Sequence, residues 1–198
     1  MSSVPFVGLT GGIGAGKSEA LSALAELGAA TLSTDAVVHE LLATDELRDL
    51  VVARLGPDVA PGGRLDREGI AERVFSEPEL RGWLEGLLWP RVGQRVVEWR
   101  QEIEASDPPP PAGVVEVPLL FESGMEAAFD HTIAVVAEES LRAERADARG
   151  HAGLESRTGR QLSQEEKSQR ADFVVHNDGT RDELKQTLSR ILATIEAS

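Results

Sequence analysis

The chain has 198 residues, no cysteine and a formal net charge of −14 at neutral pH. That length allows one well-buried core with a small inserted subdomain, and the composition excludes disulfides, a thiol nucleophile and cysteine-based zinc sites. The acidic balance argues against nucleic acid or an anionic membrane as a partner, and no apolar run reaches the ~20 residues of a membrane span, so we expect a cytoplasmic monomer or small homo-oligomer.

The first predicted element is a strand over Phe6–Leu9, followed by a glycine-rich loop and a helix over Glu19–Leu27. Gly11 to Ser18 fits the pattern G-x-x-x-x-G-K-[ST], the phosphate-binding P-loop. Glycines let backbone N–H groups approach phosphates, and the helix that begins near Lys17 adds the positive end of its dipole. We expect Lys17 to reach the β- and γ-phosphates of a nucleotide, and the Ser18 hydroxyl to hold Mg²⁺. The alternative is a glycine-rich turn with an unrelated lysine.

Short apolar strands alternate with helical stretches along much of the chain. After the first strand, the pattern predicts strands at Ala30–Leu32, Val114–Val117, Thr132–Val136 and Phe173–Val175. Their nearly continuous apolar character is typical of strands buried on both faces, so we predict an α/β fold with a parallel five-stranded sheet covered by helices. We interpret residues 1–198 as one P-loop domain with its core at about 1–43 and 112–198.

The stretch from Thr44 to Ile103 interrupts this alternation, because it is predicted to contain helices only. The pattern predicts helices at Asp45–Leu55, Asp66–Phe75 and Pro78–Ile103. We expect a bend near Pro90. A helical insertion at about residues 44–104 is a candidate substrate-binding lobe, with ordinary packing helices as the alternative. We expect three tryptophans of this insertion to pack in the core rather than stack on a ligand: Trp83, Trp89 and Trp99.

An anionic substrate needs a local basic cluster in so acidic a chain, and residues 142–170 supply one. Arg145 and Arg149 are four residues apart, so they share a helix face, and Arg142 falls on nearly the same stripe. We place a lid that closes over the transferring phosphoryl group at about residues 149–162, with Arg149 as a catalytic candidate at its start. The alternative is a solvated helix face balanced by acidic neighbours.

The P-loop alone does not name a function. The chain lacks the N-K-x-D that reads guanine in GTPases, and Val114–Val117 runs into Pro118 instead of ending in Asp-Glu as in many transport ATPases. The small size and the arginine-rich helix favour a small-molecule kinase.

Five segments, in order, resemble the dephospho-coenzyme A kinase family. Val7 to Ser18 resembles the family's opening L-T-G-G-I-G-S-G-K-S, and Val117 to Glu122 resembles its V-P-L-L-F-E. The other matching segments are Thr34 to Val38, then Val74-Phe75 with Leu84-Glu85 and Pro90, and the terminal block of Gln161, Glu165-Glu166-Lys167, Ala171-Asp172 and Asn177-Asp178-Gly179. The chain departs from the family's usual residues at Glu19, Ser33 and Trp89, and is about three residues shorter between Arg149 and Gln161.

The resemblance implies ATP-dependent phosphorylation of the 3′-hydroxyl of dephospho-coenzyme A, the last step of coenzyme A biosynthesis, with Mg²⁺ as the cofactor. It implies that ATP is bound by the P-loop and the end of the fifth strand: Gly12, Ile13, Gly14, Ala15, Gly16, Lys17, Ser18, Glu19, Asn177 and Gly179. It implies an acceptor site after the third strand: Pro118, Leu119, Leu120, Phe121 and Glu122.

Several of these assignments have alternatives. Leu119 and Leu120 could be core residues, Glu122 could meet either the substrate or a water on the metal, and Asn177 to Gly179 could be a plain turn. Another small-molecule or nucleoside monophosphate kinase of the same fold is the alternative function, and a nucleotide-binding regulatory protein without transfer activity is a third.

Asp35 is the candidate for orienting the acceptor hydroxyl. It follows the second strand, so it should lie at the carboxyl edge of the sheet, where ligands bind in open α/β folds. The alternative is an N-cap of a helix over Ala36–Leu42, and both roles could hold. The predicted catalytic residues are therefore Asp35, Lys17 and Arg149.

Overall fold

The computed structural model describes residues 4–148 and 161–197. Arg149 and most of the predicted lid at 149–162 lie outside these residues, so both stay predictions. Five strands form one sheet: β1 (Phe6–Gly11), β2 (Ala30–Ser33), β3 (Gly113–Glu116), β4 (His131–Val136) and β5 (Phe173–His176). All four pairings are parallel, in the order β2-β3-β1-β4-β5, which confirms the predicted sheet.

Eight helices of the described chain surround or follow these strands. They are α1 (Lys17–Glu26), α2 (Thr34–Leu42), α3 (Asp45–Leu55), α4 (Arg67–Ser76), α5 (Pro78–Glu104), α6 (Glu139–Ala148), α7 (Gln164–Arg170) and α8 (Arg181–Glu196). Helix α5 runs without interruption through Pro90. Among the residues described, no helix combines the length and apolarity needed to cross a bilayer.

The chain divides into two compact units. The first consists of residues up to Ser33 and from Trp99 onward, and contains the sheet. In its core, residues of β1, β3 and β4 pack against α1 and α8. The apolar residues of α8 repeat every three or four positions and therefore lie on one face of the helix. These residues are Leu184, Leu188, Leu192 and Ile195.

The second unit covers Thr34–Glu98, which begins ten residues before the predicted insertion. It has its own small core, in which Val51, Leu55, Val59 and Ile70 are buried. Of the three tryptophans, Trp99 is buried in the first unit and lies near Phe6, with ring centroids 6.1 Å apart. In the second unit, Trp83 packs against the small core, whereas Trp89 is 53% exposed. The prediction of a core position is therefore wrong for Trp89.

Strand order places the P-loop in the middle of the sheet. β1 is the central strand, with β3 and β2 on one side and β4 and β5 on the other. Because all strands are parallel, their carboxyl ends lie at the same edge, and the residues that follow β1, β3, β4 and β5 meet there.

Candidate active site

The loop between β1 and α1 has the backbone geometry that a phosphate cradle requires. Gly16 is the N-cap of α1 and has a left-handed conformation, with φ of 93° and ψ of 29°. A Cβ atom at this position would lie 2.0 Å from Nδ2 of Asn177. Only glycine fits here without strain, and the N–H groups of the first turn of α1, which have no acceptor within the helix, point toward the space in front of the loop.

Lys17 lies across this loop. Its Nζ donates hydrogen bonds to the carbonyl oxygens of Gly11, at 3.0 Å, and Gly12, at 3.1 Å. Ser18 follows in the first turn of α1 and is exposed, and Glu19 is partly exposed. An ammonium beside the positive end of a helix is an arrangement that can hold a polyphosphate.

Asn177 connects the end of β5 to the P-loop. It is 2% exposed, and its Nδ2 donates to the carbonyl oxygen of Ala15 at 3.0 Å. Its own N–H donates to Val136 at 2.8 Å, and its carbonyl accepts from Arg145. The Asn-Asp-Gly sequence therefore does more than form a turn, because its first side chain fixes the shape of the loop.

Arg142 and Arg145 contact the site, although a solvated face was a possible interpretation of their pattern. The Nε of Arg142 donates to the carbonyl of Ile13 at 2.9 Å, and its Nη1 pairs with Glu139 at 2.6 Å. Nη1 of Arg145 donates to the carbonyl of Asn177 at 3.0 Å. Beside Arg142 is a cleft of about 350 Å³. Its lining is Gly12, Ile13, Glu139, Arg142, Gln161, Leu162, Ser163, Gln164 and Glu165.

The segment after β3 is only partly open to a ligand. Leu119 is 38% exposed, whereas Leu120 is fully buried and Phe121 nearly so. Leu120 packs against Gly8, and the Arg170 guanidinium lies 4.8 Å from the centroid of the Phe121 ring. These contacts favour the core alternative for the side chains of Leu120 and Phe121.

The Glu122 carboxylate contacts two other residues of the chain. Its Oε1 accepts a hydrogen bond from the N–H of Leu162 at 2.8 Å and lies 3.0 Å from Nζ of Lys167. The Lys167 side chain is completely buried. From the sequence, Lys167 belongs to the basic cluster and to the Glu165-Glu166-Lys167 block that resembles the family, and neither pattern identifies its partner Glu122, 45 residues earlier in the chain.

Glu116 is a further acidic residue at this edge. It ends β3, is 6% exposed, and pairs in register with Leu9 of β1 and Ser33 of β2. An acidic residue on the strand beside a P-loop strand holds Mg²⁺ in many P-loop proteins. The signal for it in the sequence is one acid at the end of an otherwise apolar strand. Within residues 4–148 and 161–197, no group of three His, Cys, Asp or Glu side chains could hold a metal by itself.

In the second unit, Asp35 is exposed and is the second residue of α2. The helix includes Thr34 and Asp35, so the alternative in which Asp35 caps a helix from Ala36 is wrong. As an acid in the first turn, Asp35 instead interacts favourably with the helix dipole.

The second unit also contains a basic cleft of about 440 Å³. It is lined by His39, Leu42, Ala43, Arg48, Gly63, Arg64, Leu65 and Arg67. Arg67 donates to Nδ1 of His39 at 2.6 Å, and Arg48 pairs with Asp45 and Asp49. Arg64 and Arg67 thus make this cleft positively charged, although the protein as a whole is acidic.

Comparison with known proteins decides among the kinases of this fold. The family model for dephospho-CoA kinase matches residues 5–183. The chain belongs to the dephospho-CoA kinase family. Proteins named dephospho-CoA kinase from Protochlamydia amoebophila and Deinococcus radiodurans are 38% and 40% identical to it. The alignments cover 93% of both chains in the first case, and 96% of this chain and 92% of the relative in the second.

Solved structures share the fold of this chain. A crystal structure from Thermus thermophilus is 34% identical, covers 98% of both chains and has a TM-score of 0.80. A shikimate kinase from Bacteroides thetaiotaomicron, at 13% identity and a TM-score of 0.53, shares the fold alone. The chain is therefore an enzyme that phosphorylates dephospho-CoA in the final step of coenzyme A biosynthesis, and the alternative of another small-molecule kinase is not favoured.

Proposed function

We propose that the P-loop of the first unit binds the phosphates of ATP and that Lys17 stabilises the charge on the transferring γ-phosphoryl group. The observation that carries this proposal is the position of the Lys17 ammonium over the carbonyls of Gly11 and Gly12, beside the start of α1. Mg²⁺, when bound with ATP, would supply further charge neutralisation, and the Ser18 hydroxyl and the Glu116 carboxylate are the groups that would hold it.

In the reaction, the 3′-oxygen of the acceptor ribose forms a bond to the γ-phosphorus while the bond from that phosphorus to the β,γ-bridging oxygen breaks. ADP leaves, and the hydroxyl proton passes to a base. We assign this base to Asp35, an exposed carboxylate in the first turn of α2. Positioned proton acceptors contribute about 10²- to 10⁴-fold to such reactions.

The experiment that tests the Asp35 assignment is the Asp35→Asn variant. Because the side chain is exposed in a first helical turn, we expect a stability cost within about 1 kcal/mol. Turnover should fall by about 10²-fold or more, while the affinity for ATP measured by calorimetry stays the same. Asp182→Asn, the same change in the first turn of α8, is the matched control and should leave turnover unchanged. If Asp35→Asn keeps most of its turnover, the assignment is wrong.

We also propose that the helical unit, residues 34–98, binds the acceptor. Support comes from its basic cleft, because dephospho-CoA carries a diphosphate and arginines are well suited to bind phosphate oxygens. Arg64 lies in the cleft with no hydrogen-bond or ion-pair partner among the described residues. The acceptor contacts predicted after β3, Pro118 and Leu119 among them, stay predictions.

We infer that the enzyme acts in the cytoplasm, where ATP is supplied, as a monomer or small homo-oligomer. The net charge of −14 supports the absence of a nucleic-acid partner, because polyanions are repelled by such a surface.

A further inference from the structure

A buried lysine lies beneath the loop that follows β3. Lys167, in the middle of α7, is 0% exposed. Its Nζ donates to the carbonyl of Pro118 at 2.7 Å and to Oγ1 of Thr10 at 3.3 Å, and it lies 3.0 Å from Oε1 of Glu122. An ammonium group has three donors, and these three acceptors match them.

Burial of this ammonium is costly, so its partners matter. Loss of solvation lowers the pKa of Lys167, while the hydrogen bond and the negative charge of Glu122 raise it. A core of apolar residues would have served stability equally well, because buried ion pairs are seldom more stabilising than apolar replacements of the same size. Stability alone therefore does not account for the buried ion pair of Lys167 and Glu122.

The partners belong to two parts of the active site, the strand before the P-loop and the segment after β3, and Glu122 connects them to a third part. Thr10 precedes the P-loop on β1, and Pro118 begins the segment after β3. Glu122 ends that segment and accepts the N–H of Leu162, which lines the cleft beside Gly12 and Ile13. The hydroxyl of Thr10 also donates to the Pro118 carbonyl at 3.2 Å, so the group forms a closed network.

Helix α7 is held against this segment at other points as well. The Arg170 guanidinium stacks on Phe121 and pairs with Glu126. At the start of the helix, the Gln164 side-chain amide exchanges two hydrogen bonds of 2.9 Å with the backbone of Ala137, after β4. These contacts hold α7, the helix that carries Lys167, in place beside the segment after β3.

We propose that Lys167 is a positioning residue for phosphoryl transfer. Its ammonium holds residues 118–122 in place relative to β1, the strand that leads into the P-loop. Through Glu122, it also holds the backbone N–H of Leu162 in place. Lys167 acts through these groups and does not touch the substrate. Misplacement of reacting groups by about 1 Å can reduce rates by about 10²-fold, so loosening this network should affect transfer more than ATP binding.

The test compares three variants of the full chain. Lys167→Met leaves the Glu122 carboxylate buried without a counter-charge. The single variant should therefore lose stability, and this loss would obscure any effect on its kinetics. The double variant Lys167→Met/Glu122→Gln removes both charges, keeps both volumes and retains an oxygen for the Leu162 N–H, and is therefore the decisive protein. Lys185→Met is the matched control, because Lys185 also pairs with a glutamate, Glu26, at 2.9 Å but on an exposed surface away from the site.

For the double variant, we expect a cooperative thermal transition and an affinity for a non-hydrolysable ATP analogue within about threefold of the original protein. We expect kcat/KM for dephospho-CoA to fall by about 30-fold or more, approaching the effect of a 1 Å misplacement. Lys185→Met should change neither quantity. Three results would overturn the proposal: near-normal kcat/KM in the folded double variant, a parallel loss of ATP-analogue affinity, or failure of the double variant to fold, which would make the pair a stability element.

Discussion

Replacing Gly16 with alanine tests the geometry on which ATP binding depends. Its φ of 93° lies in the left-handed region, which costs a residue with a Cβ about 1–2 kcal/mol. The new Cβ would also lie 2.0 Å from Nδ2 of Asn177 and displace the amide that donates to Ala15. Loss of that buried hydrogen bond costs a further ~1–2 kcal/mol, for a total of roughly 2–4 kcal/mol.

For a chain of this size, that loss corresponds to a melting temperature about 4–16 °C lower. We expect the folded variant to lose ATP affinity as well, because the loop and the first turn of α1 must shift to relieve the contact. Thermal unfolding and calorimetry with a non-hydrolysable ATP analogue measure the two effects. Gly86→Ala, in α5 with nothing within 4 Å of the new Cβ, is the control and should stabilise the protein by up to ~1 kcal/mol. Unchanged melting and affinity in Gly16→Ala would refute the described loop geometry.

Three further predictions concern single side chains. Lys17→Ala should fold normally but lose at least ~10²-fold in turnover, since its charge acts on the transition state, and near-normal turnover would contradict the P-loop assignment. Arg64→Gln should raise the KM for dephospho-CoA and leave the KM for ATP unchanged. A change in the KM for ATP alone would mean that dephospho-CoA does not bind at Arg64. Hydrogen bonds from the Thr180 N–H and hydroxyl lower the pKa of Glu183, so this carboxylate stabilises the fold above its unfolded pKa, and the stabilisation disappears as pH falls through the folded value. The stability difference between the original protein and Glu183→Gln, measured by urea unfolding, should therefore shrink as pH falls below about 4.3.

The sheet could be predicted because each strand carries its own signal. Val114–Val117 and Thr132–Val136 are apolar runs of the length that a two-sided strand needs. The first strand is observed one residue earlier at both ends, and the second begins one residue earlier and ends where predicted. The P-loop was equally clear, since glycine spacing and the lysine follow from the chemistry of phosphate binding. The capping boxes Ser163-Glu166 and Thr180-Glu183 are also local signals, and they begin α7 and α8.

The network around Lys167 could not be predicted, because it depends on contacts between residues far apart in the chain. Lys167 and Thr10 are separated by 157 residues, and Arg142 and Ile13 by 129. Charge and helical spacing place both cations in a basic cluster but do not identify their partners, which only the fold brings close. At Asp35 the difference between prediction and structure is smaller. Helix α2 begins at Thr34, one residue before Asp35, which was the predicted cap.

The most direct test of the central claim is a coupled ADP-release assay with three acceptors: dephospho-CoA, AMP and shikimate. The family assignment, the P-loop and the basic cleft of the helical unit predict rapid ADP release with dephospho-CoA and only background release with the other two. Phosphate at the 3′-hydroxyl of the product, located by ³¹P NMR, completes the identification. Equal or faster ADP release with AMP or shikimate would contradict the account.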